Sequence, residues 1–169
     1  MPQAAPFTIS RLLDAPRQLV YQVNTESQHL AHWLSPAGFH NIHAAMDFRP
    51  GGSYHYGLEG PGGMQMWGKQ EFREIRLNQS VTCVQSFSDK DGGLARHPMA
   101  PEWPAHMLAT TSFEDAGPGK TRMTIEWQPH ESDDVGNAIF DGARAGMEAG
   151  FGGSFAKLES YLAELTAAK

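Results

Sequence analysis

From Ser132 to about Leu165 the apolar residues fall at Phe140, Met147, Phe151, Phe155, Leu158 and Leu162. Those steps of three, four and seven keep one face of a helix apolar, which predicts a single long amphipathic helix closing the chain. Upstream the pattern changes to period two. Strands are predicted at about 42–48, 53–59, 64–75, 80–88, 106–114 and 120–128. They are separated by turn-forming runs such as Pro50-Gly51-Gly52, Gly60-Pro61-Gly62-Gly63 and Ala116-Gly117-Pro118-Gly119. Near the N-terminus, Pro6 to Leu13 alternates as a first strand. Leu19, Val20, Val23, Leu30 and Leu34 then carry a helical stripe that breaks near Asn24-Thr25. Two short helices are therefore predicted, the first capped by Asp14 and the second ending before Pro36. Strands followed by a long helix predict an α+β protein in which the helix lies across an antiparallel sheet of about seven strands. If that sheet curves, the space beneath the helix is a pocket. Residues 1–5 read as a flexible tail and 6–166 as a single domain.

Alternation also selects the face that meets the helix. It comprises Ile42, Ala44, Met46 and Phe48; Tyr54, Tyr56 and Leu58; Met64, Met66 and Phe72; Val81, Cys83 and Phe87; Ala109, Thr111 and Phe113; and Met123, Ile125 and Trp127, with Gln70, Gln85 and Thr111 as its polar members. A lining of aromatics, methionine and scattered amides is the usual make-up of a small-molecule site. The cavity residues expected on this basis are Trp33, Phe48, Tyr54, Tyr56, Met66, Gln70, Phe72, Phe87, Thr111, Phe113, Met123, Phe140, Met147 and Phe151. The connection from Asp89 to Ala105 is longer than a turn and carries Arg96 and His97, the candidates for a polar rim. There Arg96 would hold a carboxylate or pair with Asp89 or Asp91, and His97 would move a proton.

Composition narrows the classes of function. The 169 residues carry a net charge of -6 and show no basic cluster, which argues against a nucleic-acid partner. No apolar run approaches the roughly 20 residues of a membrane span, and the first residues lack a signal-peptide pattern, so a cytoplasmic location is expected. Cys83 is the single cysteine; its alternation with Val81 and Phe87 suits a buried thiol rather than an activated one. His29 and His32, like His40 and His43, are spaced i, i+3, but no third ligand is fixed nearby, so no metal and no other cofactor is expected. No nucleophile elbow or phosphate-cradling glycine pattern occurs, and no catalytic residue is assigned. Gly142, Gly146 and Gly150 recur at i, i+4 inside the closing helix, where each interior glycine costs about 1 kcal/mol relative to alanine. Close packing of that face against the sheet, a loop or a second subunit is the leading explanation, mobility of the helix as a cavity gate is the other, and a homodimer is left open.

Several short motifs add a family resemblance. Asp47-Phe48-Arg49-Pro50-Gly51-Gly52 is followed by Gly68 with Glu74-Ile75, Ser86-Phe87-Ser88-Asp89, Arg96-His97-Pro98 and Lys120-Thr121-Arg122. From about Phe7 to Leu165 the chain resembles the SRPBCC superfamily of START and Bet v-like domains. Within it the chain is similar to the branch named after the homologue of the heat-shock chaperone ATPase activator. One departure is Gly150-Phe151, where members usually have Gly-Trp. The resemblance implies the helix-grip fold, a curved sheet wrapped around a long C-terminal helix. It leaves function open, because the superfamily includes carriers, cyclases and chaperone partners. The leading expectation is non-catalytic binding of a small, largely apolar molecule. The alternatives are a cyclase, dehydratase or hydrolase working in the same pocket, and a chaperone-interaction module.

Overall fold

A computed structural model describes residues 4–35, 38–97 and 100–167. β1 (Phe7–Leu13) leads into α1 (Arg17–Thr25) and α2 (Ser27–Trp33). β2 (His40–Met46), β3 (Ser53–Glu59), β4 (Gln65–Arg76) and β5 (Ser80–Ser88) follow as successive hairpins. After β6 (Leu94–Ala95) come β7 (Met107–Asp115), β8 (Thr121–Pro129), α3 (Asp134–Gly142) and α4 (Arg144–Ala167). All strands join one antiparallel sheet in the order β1-β8-β7-β5-β4-β3-β2, with β6 added to β5. The sheet curves around α4 in the helix-grip arrangement. The strand beyond the expected seven is β6, two residues within the 89–105 connection that pair with Phe87 and Ser88. No helix among the described residues is long and apolar enough to cross a membrane.

Three local expectations are corrected. The first helix is not capped by Asp14. Its N-cap is Pro16, and Asp14 pairs instead with Lys120. Buried Ala15 sets this later start, because its carbonyl accepts a hydrogen bond from Thr121 Oγ1 at 2.7 Å. The second correction is at Ile42, which does not join the inner face. A bulge between Asn41 and His43 leaves Ile42 40% exposed while Asn41 stands opposite inward-facing Leu58.

The third concerns the closing helix, which is two helices rather than one. Asp133 caps α3 by accepting the Gly136 N–H at 2.8 Å, and the helix ends where Ala143 leaves helical geometry at φ -96°, ψ 3°. α3 sends Phe140 into a cluster with Phe7 and Met107 that α4 joins through Met147, and α4 then lays Phe155, Leu158 and Leu162 on the main core. At the N-terminal end residues 1–3 lie outside the described residues, Ala4 packs on the Phe140 cluster, and the Ala5 carbonyl accepts from Arg144 Nη2 at 2.5 Å.

The main core gathers Leu13, Val20, Val23, Trp33, Phe72, Phe113 and Met123 under α4. Trp127 and Phe151 pack against both clusters, and the space between the clusters is not filled.

Candidate ligand-binding cavity

Between the sheet and the start of α4 lies a cavity of about 650 Å³. That is within the range of roughly 300–1,000 Å³ typical of ligand pockets. β3 and β4 supply Tyr56, Leu58, Met66 and Gln70; β5 supplies Gln85 and Phe87. His97, Trp103 and Pro104 come from the long connection, Met107 from β7 and Trp127 from β8. Gly142, Ala143, Gly146, Met147 and Phe151 border it from the helices. A smaller space of about 120 Å³ continues toward the main core, lined among others by Trp33, Phe48, Phe72, Thr111, Phe113 and Met123. Leu34, Gln70, Gln85, Trp127 and Phe151 border both spaces.

Of the residues expected from sequence, Tyr56, Met66, Gln70, Phe87, Met147 and Phe151 line the larger space, with His97. Trp33, Phe48, Phe72, Thr111, Phe113 and Met123 line the smaller one. Tyr54 lies behind the wall, stacked on Tyr56 at 5.2 Å between ring centroids. Phe140 is fully buried against Trp103 and Trp127. Arg96 faces solvent, where it donates to the Trp103 carbonyl at 3.5 Å. Its expected partner Asp89 is otherwise engaged, accepting the N–H groups of Asp91 and Gly93 at 2.9 and 2.8 Å. Those bonds hold the Asp89 carboxyl below the usual carboxylate range. Pro98, the next residue of the rim motif, lies outside the described residues.

Leu34, Gln85, Trp103, Met107 and Trp127 are lining residues that were not singled out for the site. Gln85 and Trp127 already lay on the predicted inner face, and extending the alternation of β7 by one step gives Met107. Leu34 lay on the helical stripe that ends with it, whereas Trp103 carries no such signal, because a loop has no period to extend.

The electrostatics of the cavity are simple. Among the described residues no Asp, Glu, Lys or Arg lines either space. Burial pushes the phenols of Tyr54 and Tyr56 and the Cys83 thiol up to about 12, so none ionises at neutral pH. Burial holds the His97 imidazole below its ordinary range, among Phe87 and Trp103. Its Nδ1 accepts the Ala100 N–H at 3.1 Å, so the neutral ring carries its proton on Nε2. A depressed histidine pKa means that the unfolded chain takes up the proton first. Stability is therefore complete at pH 7 and above and declines as pH falls below about 6.5. His97→Gln is expected to flatten the fall of melting temperature between pH 7 and 5; an unchanged slope would show that His97 does not contribute to it.

The histidine pairs have other partners. His29 Nδ1 is hydrogen-bonded to the Tyr161 hydroxyl at 2.6 Å, its Nε2 lies 3.2 Å from Glu26 Oε2, and His32 stacks on the Tyr161 ring. Together they clasp α2 to α4. His43 packs with His55 and Trp67 on the outer face of the sheet, and His40 lies beside Glu59.

The model of a protein family described as activator of Hsp90 ATPase homolog 1-like protein matches residues 14–163. The chain belongs to this family. Solved structures place this Hsp90-activator-homologue-like chain in the same fold. A protein from Nitrosomonas europaea is 21% identical, with a TM-score of 0.76 and 99% of each chain covered. A solution structure from Arthrobacter aurescens is 25% identical with a TM-score of 0.77, covering 95% of this chain and 87% of that one. An AHSA1 protein from Silicibacter pomeroyi is 18% identical with a TM-score of 0.70, covering 94% and 98% respectively. No curated protein matches.

Proposed function

We propose that this family member binds one small, uncharged, largely apolar molecule between its sheet and α4. The observation that carries the reading is a cavity of about 650 Å³ walled by aromatic rings and methionines and free of fixed charge. Apolar ligands gain from leaving water for such a wall, and Met66, Met107 and Met147 adapt to an irregular outline.

The enzymatic alternative needs placed proton-handling groups. Among the described lining residues His97 is the one imidazole, burial lowers its pKa, and no carboxylate or amine among them stands beside it to complete a proton-handling pair. The family description names a chaperone activator, but docking on a chaperone calls for a continuous apolar patch. The exposed large apolar residues Leu12, Ile42, Met64, Leu77, Leu94 and Val135 come from separate elements and turns.

N-Phenyl-1-naphthylamine, an uncharged probe whose emission rises in apolar surroundings, tests the proposal. Saturable binding at one site per chain is expected, weakened about tenfold by Met66→Trp, which adds ring volume to the wall. Native mass spectra that retain one extra small mass would support it further. Failure to bind the probe, or equal binding by the Met66→Trp protein, would overturn the reading.

A further inference from the structure

The polar content of the cavity is lopsided, and that imbalance narrows the ligand. Gln70 and Gln85 face each other across β4 and β5 and border both spaces. Trp127 Nε1 lies 3.0 Å from Gln85 Oε1. An indole N–H can only donate, so the atom it meets must be the amide oxygen, and this fixes which way the Gln85 amide is turned. The Cys83 thiol donates weakly to Gln70 Oε1 at 4.0 Å, and the Gln85 amide N–H donates to the Cys83 sulfur, a bond that eases the thiol's ionisation against its burial. Both amide oxygens are thereby engaged. The Gln85 nitrogen has only that soft sulfur acceptor, the Gln70 nitrogen has no acceptor among the described residues, and no carboxylate among them lines the cavity to receive it. A hydrocarbon filling the space would leave the Gln70 N–H groups cut off from solvent and unpaired, whereas an acceptor atom at the same place would bond them.

We infer that the ligand is an uncharged molecule bearing a hydrogen-bond acceptor, such as a ketone, quinone or ester oxygen, that is received by the Gln70 amide. This rests on the cavity being a binding site and adds the ligand's chemical class. An anionic ligand is disfavoured because no Arg or Lys lines the cavity to compensate its desolvation.

Three rigid probes of one shape separate the possibilities: 9-fluorenone with a carbonyl acceptor, fluorene without one, and fluorene-9-carboxylate with a charge. In equilibrium dialysis against the full chain, fluorenone is expected to bind about tenfold more tightly than fluorene, although fluorene is the more hydrophobic. The carboxylate is expected to bind more weakly than either. Gln70→Leu should abolish the preference for the ketone while fluorene binding persists. Gln70→Met, which keeps the side chain's length but carries no N–H donor, gives the same readout if the leucine variant fails to fold. Equal binding of fluorenone and fluorene, a carboxylate bound as tightly as the ketone, or a preference that survives both substitutions would overturn the inference and leave the binding reading standing. If no probe binds, both fall together.

Discussion

Gly52→Ala is expected to destabilise the protein by about 3 kcal/mol or more, the upper end of what overpacking costs. A Cβ on Gly52 would overlap the Asp47 carbonyl oxygen and sit 3.1 Å from the Arg49 carbonyl oxygen, both backbone atoms that cannot swing aside. The turn has no slack to absorb the shift. Gly52 N–H donates to the Arg49 carbonyl at 2.8 Å, and on the other side Gly51 and Gly52 exchange backbone bonds with Phe72 at 2.9 and 3.0 Å. Phe72 is 3% exposed and its ring meets Phe48 at 5.0 Å, so displacement of the turn reaches the wall of the inner space. Gly51 is the control. It has φ +85° with nothing within 4 Å of an added Cβ, so alanine there pays only the left-handed backbone penalty of about 1–2 kcal/mol. Urea unfolding checks both. A Gly52→Ala midpoint shift no larger than that of Gly51→Ala would refute the steric account. The Asp47-to-Gly52 motif that carries the family resemblance thus has a structural reason for its last glycine.

The double substitution Gly146→Ala, Gly150→Ala is expected to stabilise the fold by about 2 kcal/mol, one for each interior helix glycine removed. Close packing was the expected reason for these glycines, and within the chain the structure supplies none. Nothing lies within 4 Å of a Cβ built on Gly142, Gly146 or Gly150. Gly142 ends α3 just before the break at Ala143, Gly146 and Gly150 follow it in α4, and Gly142 and Gly146 border the cavity. A stretch of helix that gives up propensity without gaining contacts opens more easily than its neighbours. Thermal unfolding should show the rise, and amide hydrogen exchange across residues 143–153 should slow in the same protein. A loss of stability would mean that this face is covered in solution, with a second copy of the chain as the first occupant to examine by sedimentation.

The order of elements was legible because its causes are local. Glycine and proline mark the hairpins, alternation marks the strands, and the seven-residue spacing from Phe140 to Met147 keeps both on one helical face across a break that leaves no trace in the pattern. Alternation placed Tyr56, Met66, Gln70, Phe87 and Thr111 on the face that borders the two spaces, since a strand's parity survives folding. It failed at Ile42, where one extra residue reverses the parity and nothing in the composition announces it.

What the chain determines by itself is therefore the sequence of strands and helices, the inward face of most strands, and the absence of charge on that face. Only the tertiary structure decided that the two apolar clusters stop short of each other and leave a cavity. It decided that His97 and Trp103 reach that cavity while Arg96 turns away, and that α4 passes it with bare glycines. It also turned the Gln85 amide, through an indole 42 residues away in sequence. These outcomes depend on distances between elements, which hydrophobic periodicity does not encode because it reports only which face of one element leaves water.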